Sequence, residues 1–187
     1  MRCTRTTLAV LLLSIACVHA QGTAASTSDV RTIEAFKQRI NQYALLHRRL
    51  EAGIPKLADD ADPPAIEQHQ RRLGQLMMSN RKGAKRGDVF TPDAERLFRR
   101  LLAQVFSGPE GARLKATIMD ENPSVMRLAV NARYPEQVPF STMPPQVLAM
   151  LPRLPEEIEY RFIGNQLILL DIHAHTIVDY LDNALPK

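Results

Sequence analysis

Hydrophobic and polar residues alternate in the C-terminal part of the chain, and this pattern predicts a small antiparallel sheet. The alternation over 158–162 has the period of a strand with one buried face. Gly164-Asn165 follows as a type II′ hairpin turn, and 167–172 is almost continuously apolar, as expected of a central strand covered on both faces. After a second turn, 176–181 predicts a β-branched third strand. We therefore predict a three-stranded β-meander.

Upstream of the predicted sheet, hydrophobic residues recur at helical spacing. The first stripe follows a 3-4-3-4 spacing and predicts one long helix over about 29–52, with Ser28 or Asp29 as its cap. Asp62 is a candidate N-cap with two prolines directly after it, so a second helix is expected to begin there. Because the connection between the two helices is short, we expect them to pack as an antiparallel helical hairpin.

Two further helices are predicted before the sheet. Thr91 is a strong candidate cap followed directly by proline, and the apolar pattern continues to Phe106. Pro109 begins a fourth helical pattern. This pattern ends before Asn122, because a residue that precedes proline is pushed out of the α region.

These elements predict an α+β fold in a single domain over 29–187. Three to four helices, the hairpin plus two further helices, form a helical part over 29–123 and pack with the C-terminal three-stranded antiparallel β-meander at 156–182. A proline-rich crossover over 124–155 joins the two parts. Its first segment, Ser124 to Tyr134, is compatible with helix and with extended chain.

Residues 1–20 have the pattern of a secretory signal peptide. Arg2 and Arg5 precede a short apolar run, and small residues stand at the −3 and −1 positions of the expected cleavage site. The run is shorter than the ~20 residues that a membrane-spanning helix needs. We therefore expect a periplasmic or secreted protein with 21–28 as a disordered lead-in. The alternative is lipidation at Cys17, although the residue three positions before it fits a lipobox poorly.

The cleaved chain is expected to be mildly basic and free of cysteine. Two of the four net positive charges and both cysteines lie in the predicted signal, which excludes a disulfide framework and a thiolate site. The basic cluster from Arg81 to Arg86 is typical of a solvated helix end, so we expect no nucleic-acid partner. The sequence lacks a Gly-rich phosphate loop, G-x-S-x-G and H-E-x-x-H, and we predict no catalytic residue and no organic cofactor.

One group of residues has the chemistry of a metal site. Asp171, His173 and His175 stand at alternate positions, and in an extended segment alternate side chains point the same way. Two imidazoles and a carboxylate are reasonable ligands for zinc, nickel, cobalt or copper. The alternative is a polar turn that begins after Asp171 and breaks the alternation. His47 lies within the apolar stripe of the first helix, and we interpret it as a core or rim histidine rather than a ligand.

The C-terminal pattern resembles the module of RcnB-like periplasmic proteins, a group named for nickel and cobalt homeostasis. The shared pattern consists of prolines and strand positions, namely Pro144, Pro145, Leu148, Leu151, Pro152, Leu154, Pro155, Glu159, Tyr160, Arg161, Gly164, Leu167, Leu169, Asp171, Ile177, Val178 and Asp179. The chain departs from that module at Ala174-His175-Thr176, where the family has a Thr-Gly turn, and no metal-binding residue carries over. The whole chain after the predicted signal peptide, including the stretch from Phe90 to Pro123, also resembles uncharacterised exported bacterial proteins.

Three functions follow as expectations. The first is an exported, non-enzymatic protein that binds an unknown protein partner or another envelope component, or serves envelope homeostasis. The alternative is a periplasmic metal-binding accessory protein that uses Asp171, His173 and His175. A hydrolase comes third. A homodimer through the first helix is a further expectation, because a long apolar stripe is ordinarily a packing surface.

Overall fold

A computed structural model describes residues 26–121, 127–135, 138 and 143–186. Within these ranges five helices precede three strands, and the predicted α+β class with a C-terminal meander is confirmed. The elements are α1 Thr27–Glu51, α2 Pro63–Asn80, α3 Pro92–Phe106, α4 Gly111–Glu121, α5 Pro145–Met150, β1 Ile158–Ile163, β2 Gln166–Asp171 and β3 Thr176–Leu181.

The helix starts follow from their capping residues. Asp62 accepts the N–H of Ala65 at 2.9 Å and Thr91 caps α3, as predicted. The first helix begins at Thr27, earlier than expected, because Ser26 accepts the N–H of Asp29 at 3.0 Å. The predicted lead-in therefore overlaps α1 by two residues, and 1–25, with the predicted signal peptide, lies outside the described residues.

The two remaining helices refine the predicted boundaries. The fourth helix begins at Gly111 rather than at Pro109. A short fifth helix, α5, lies within the predicted crossover and follows directly after Pro144. The five helices of the described residues are one more than the upper end of the predicted range of three to four. Its Val147 is buried in the main core.

The sheet has the order β1-β2-β3, and both pairs are antiparallel. Gly164 has φ 54°, the left-handed conformation that a type II′ turn needs at its first central residue. A bulge interrupts the β2–β3 register between Leu169 and Leu170, where Leu169 pairs with Asp179 and Leu170 with Ile177.

The central strand is buried on both faces, as its apolar run predicted. Leu167 and Leu169 face the main core, which the helices share, whereas Ile168 and Leu170 join a second cluster on the other face. The second cluster includes Tyr134, whose backbone N–H donates to the carbonyl oxygen of His175 at 2.9 Å. The described part of the ambiguous segment, 127–134, is not helical: it turns at Asn131, which has φ 65°, and Arg133 forms an isolated antiparallel bridge with Thr176. Residues 122–126 lie outside the described residues.

The apolar stripe of α1 packs inside the chain. Its buried residues are Phe36, Ile40, Tyr43, Ala44 and His47. A homodimer through this helix would have to use another face of α1, and it stays a prediction. Among the described residues, no helix combines the length and apolarity that crossing a membrane requires.

Candidate metal centre

A buried carboxylate connects the sheet to α1. Asp171 ends β2 with the same parity as Leu169, so its side chain faces the helices and is fully buried. Its Oδ2 accepts hydrogen bonds from Tyr43 Oη and His47 Nδ1, each at 2.6 Å. Because a carboxylate only accepts, the proton of this second bond belongs to His47 Nδ1. The other ring nitrogen of His47, Nε2, lies 3.2 Å from Glu51 Oε2.

The other oxygen of Asp171 shapes the turn that follows. Oδ1 accepts the backbone N–H of His173 at 3.1 Å and that of Ala174 at 2.7 Å, the pattern of an Asx turn. The turn ends at His175, which adopts the left-handed conformation with φ 52°. This geometry breaks the strand alternation after β2, so His173 and His175 point to different neighbours.

Three potential metal ligands meet where α1 ends and the turn begins. His47 Nε2 lies 3.2 Å from Glu51 Oε2, and His173 Nδ1 lies 3.0 Å from Glu51 Oε1. One ligand atom from each of these residues can be chosen so that all three lie within 4.8 Å of one another. On α1 the two contributors are four residues apart and therefore share one face of the helix.

These separations are close to those of a tetrahedral zinc site. Zinc binds nitrogen and carboxylate oxygen at about 2.0–2.2 Å, so two ligand atoms of one tetrahedron stand roughly 3.4 Å apart. His47 Nε2 and His173 Nδ1 lie 3.2 and 3.0 Å from different oxygens of Glu51, and one ligand atom from each of the three residues lies within 4.8 Å of the others. All of these are side-chain atoms, so rotation about side-chain bonds is the movement that would bring them around one ion.

Burial and nearby charges shift the pKa values of His47 and of the neighbouring Tyr43. Burial lowers the pKa of His47, but the hydrogen bond to Asp171 and the charges of Asp171 and Glu51 outweigh it, so the pKa is raised. Burial and the charge of Asp171 hold the pKa of Tyr43 well above its ordinary value, so this side chain stays a neutral donor. A metal ion at His47 Nε2 would take the place of a proton.

The three side chains of the cluster differ in their exposure to solvent. The side chain of His47 is fully buried, whereas those of Glu51 and His173 are 30% and 43% exposed. Both exposed residues line a cleft of about 680 Å³ between the end of α1, the start of α2 and the turn. His69 of α2 also lines this cleft, with Nε2 at 3.6 Å from Glu51 Oε1.

The three ligands predicted from the sequence have different surroundings in the structure. His173 belongs to the cluster, and Asp171 lies directly behind it but uses both oxygens on protein donors. His175 is directed elsewhere, since its Nδ1 lies 3.2 Å from Gln70 Oε1 and its ring stacks on Tyr134 at 5.6 Å. The structure therefore brings Asp171 and His173 together and separates His175 from this cluster.

Two members of the cluster were not among the predicted ligands. His47 was interpreted as a core or rim histidine, and it is buried as that interpretation requires. Glu51 stands four residues after it, and this spacing is the sequence signal that a shared helix face carries ligands. Glu51 also contacts His173 of the turn, which lies 122 positions away in the sequence. No local sequence pattern indicates a contact over that separation.

No protein-family model, curated protein or solved structure matches this chain. The resemblance of the C-terminal part to the RcnB-like module stays a prediction.

Proposed function

We propose that this protein binds one divalent transition-metal ion, zinc foremost, through His47, Glu51 and His173. The observation that carries the proposal is the convergence of three ligand atoms within 4.8 Å on a buried, oriented imidazole. Two histidines and a glutamate form a known type of three-ligand zinc set. Calcium and magnesium prefer sites built from oxygen alone, so the two imidazoles favour a transition metal.

The hydrogen bond behind His47 supports the proposal further. Metal-binding histidines nearly always donate their second ring N–H to a carboxylate, a carbonyl or water, which fixes the tautomer and the ring orientation. Asp171 holds His47 in this way, and it also holds the turn that carries His173. Ligands that are already ordered lose little conformational entropy when the metal binds.

The proposal agrees in kind with the metal-binding alternative drawn from the sequence, but it uses other ligands. His173 is common to both sets, whereas His47 and Glu51 replace Asp171 and His175. The envelope role and the periplasmic location stay proposals beside it, since a metal-binding site is compatible with an exported accessory protein. The hydrolase, the third expectation from the sequence, stays a prediction.

Zinc titration calorimetry of protein stripped with a chelator tests the proposal, with two histidines of one turn as a matched pair. The wild type is expected to bind one zinc ion per chain. His173→Ala removes a ligand and should weaken binding by at least about tenfold, since even an outer partner of a ligand is worth 10–100-fold. His175→Ala, whose ring lies against Tyr134 and Gln70, should leave the affinity within about threefold.

Each alternative outcome has a definite meaning. Absence of zinc binding by the folded wild type would overturn the proposal. Equal losses in both variants would restore the ligand set predicted from the sequence. A loss in His175→Ala alone would place the site on the other side of the turn.

A further inference from the structure

We infer that the bound metal ion keeps a coordination position open to the neighbouring cleft, and that the cleft takes a carboxylate with a short, branched apolar chain. The inference rests on the proposed metal site and adds the chemical class of its ligand. It is carried by the one-sided exposure of the cluster, by the charges along the cleft and by two exposed apolar side chains.

The exposure of the ligands leaves one side of the metal unoccupied by protein. His47 closes the site from the core, while Glu51 and His173 stand at the cleft wall. Zinc sites with three protein ligands keep the fourth position for water or for a bound molecule. His69 Nε2 lies 3.6 Å from Glu51 Oε1, beyond hydrogen-bonding distance, and His69 lies outside the three-residue group, so we do not assign it as a ligand.

The charges along the cleft favour an anion. Lys56 and Arg48 line it, and Glu51 is the one acidic residue among the described residues that line it. Arg48 donates through Nη2 to Glu157 Oε2 at 3.1 Å, so its charge is largely balanced. The metal ion and Lys56 therefore leave the occupied site with a positive charge. A carboxylate is complementary to this positive charge and is itself a metal ligand.

The remaining wall of the cleft is apolar. Leu57, in the loop after α1, and Ile66, in the first turns of α2, are 38% and 39% exposed. Ile54 and Ile172 line the same cleft. The cleft volume of about 680 Å³ is that of a small-molecule site. A branched aliphatic chain of a few carbons, attached to the metal-bound carboxylate, would cover Leu57 and Ile66.

Cobalt spectroscopy tests the inference on the full chain. Cobalt replaces zinc in such sites, and its visible bands change when an inner ligand is exchanged. We would load the chelator-stripped protein with cobalt and titrate it with acetate and with 4-methylpentanoate. Both should change the bands, and 4-methylpentanoate should act at a concentration at least about tenfold lower, because it buries additional methylene and methyl groups.

Three variants separate the apolar wall from the charge. Leu57→Ala with Ile66→Ala should reduce the preference for 4-methylpentanoate to less than about threefold while cobalt still binds. Leu45→Ala is the matched control, because Leu45 is 63% exposed on α1 and does not line the cleft. Lys56→Gln should weaken both carboxylates to a similar extent.

The possible failures are distinguishable. No cobalt bands in the wild type would overturn the proposed metal site and this inference with it. Cobalt bands that neither carboxylate changes would overturn this inference alone and would indicate a closed site with His69 as the fourth ligand. Equal effects of the two carboxylates, or a preference that survives the double variant, would overturn the apolar wall and with it the inferred ligand class.

Discussion

The Asp171→Ala variant is expected to lose about 3–5 kcal/mol of the free energy of unfolding, because four hydrogen-bond donors would lose their buried acceptor. Asp171 is fully buried and accepts four hydrogen bonds. Its removal would leave the hydroxyl of Tyr43, Nδ1 of His47 and two backbone N–H groups of the turn without their acceptor. Urea unfolding in the presence of a chelator measures the loss without any contribution from metal.

Two further variants, one as a control and one with a smaller expected loss, accompany Asp171→Ala. Asp60→Ala removes an exposed loop carboxylate and should change the unfolding free energy by less than about 0.5 kcal/mol. Tyr43→Phe deletes one donor to Asp171 and should cost roughly 1–3 kcal/mol, which stays measurable even where Asp171→Ala fails to fold. A loss below about 1 kcal/mol in Asp171→Ala would contradict the role of Asp171 as the connection between sheet and helix.

The second large effect concerns metal-dependent stability. Zinc at ~100 times its dissociation constant should raise the free energy of unfolding of the wild type by about 2.7 kcal/mol, because it binds the folded chain. The variant His47→Ala with His173→Ala should show almost none of this increase, since one carboxylate remains of the three ligands. Thermal and urea unfolding with and without zinc measure the difference. A full increase in the double variant would place the zinc elsewhere.

The stability of the metal-free protein and the additional stability that zinc provides should change with pH in opposite directions. Burial lowers the pKa of His47 in the folded chain, but the hydrogen bond to Asp171 and the charges of Asp171 and Glu51 together outweigh it, so the pKa is raised. Protonation therefore stabilises the metal-free protein fully below about pH 6.5, the unfolded value, and this contribution is lost as the pH rises through the folded pKa. Zinc needs Nε2 without its proton, so the zinc-dependent increase should grow over the same rise in pH.

Local signals were sufficient for most of the fold. The period-2 pattern, the glycine of the first hairpin and the Thr91 cap each act through neighbours in sequence, and the structure has the elements they predict. The start of α1 was missed because Ser26, Thr27 and Ser28 are chemically similar candidate caps in a row. The choice of Ser26 is visible only from its hydrogen bond to Asp29.

The site was less accessible to sequence reasoning, for two physical reasons. His47 lies in an apolar stripe, a pattern typical of core packing, and its partner Asp171 is 124 positions away. The alternation that grouped Asp171 with His173 and His175 holds only in extended chain, and the carboxylate of Asp171 itself folds the following residues into a turn. A polar turn after Asp171 is one of the two interpretations that the sequence allows, and only the tertiary structure places His173 beside Glu51.

The proposed zinc site is tested most directly by anomalous scattering from crystals of chelator-stripped protein soaked with zinc, recorded on both sides of the zinc absorption edge. We predict one strong anomalous peak per chain, at about 2.0–2.2 Å from His47 Nε2, a carboxylate oxygen of Glu51 and a ring nitrogen of His173. A peak bound by His175, or no peak at the end of α1 in crystals that bind zinc elsewhere, would contradict the site.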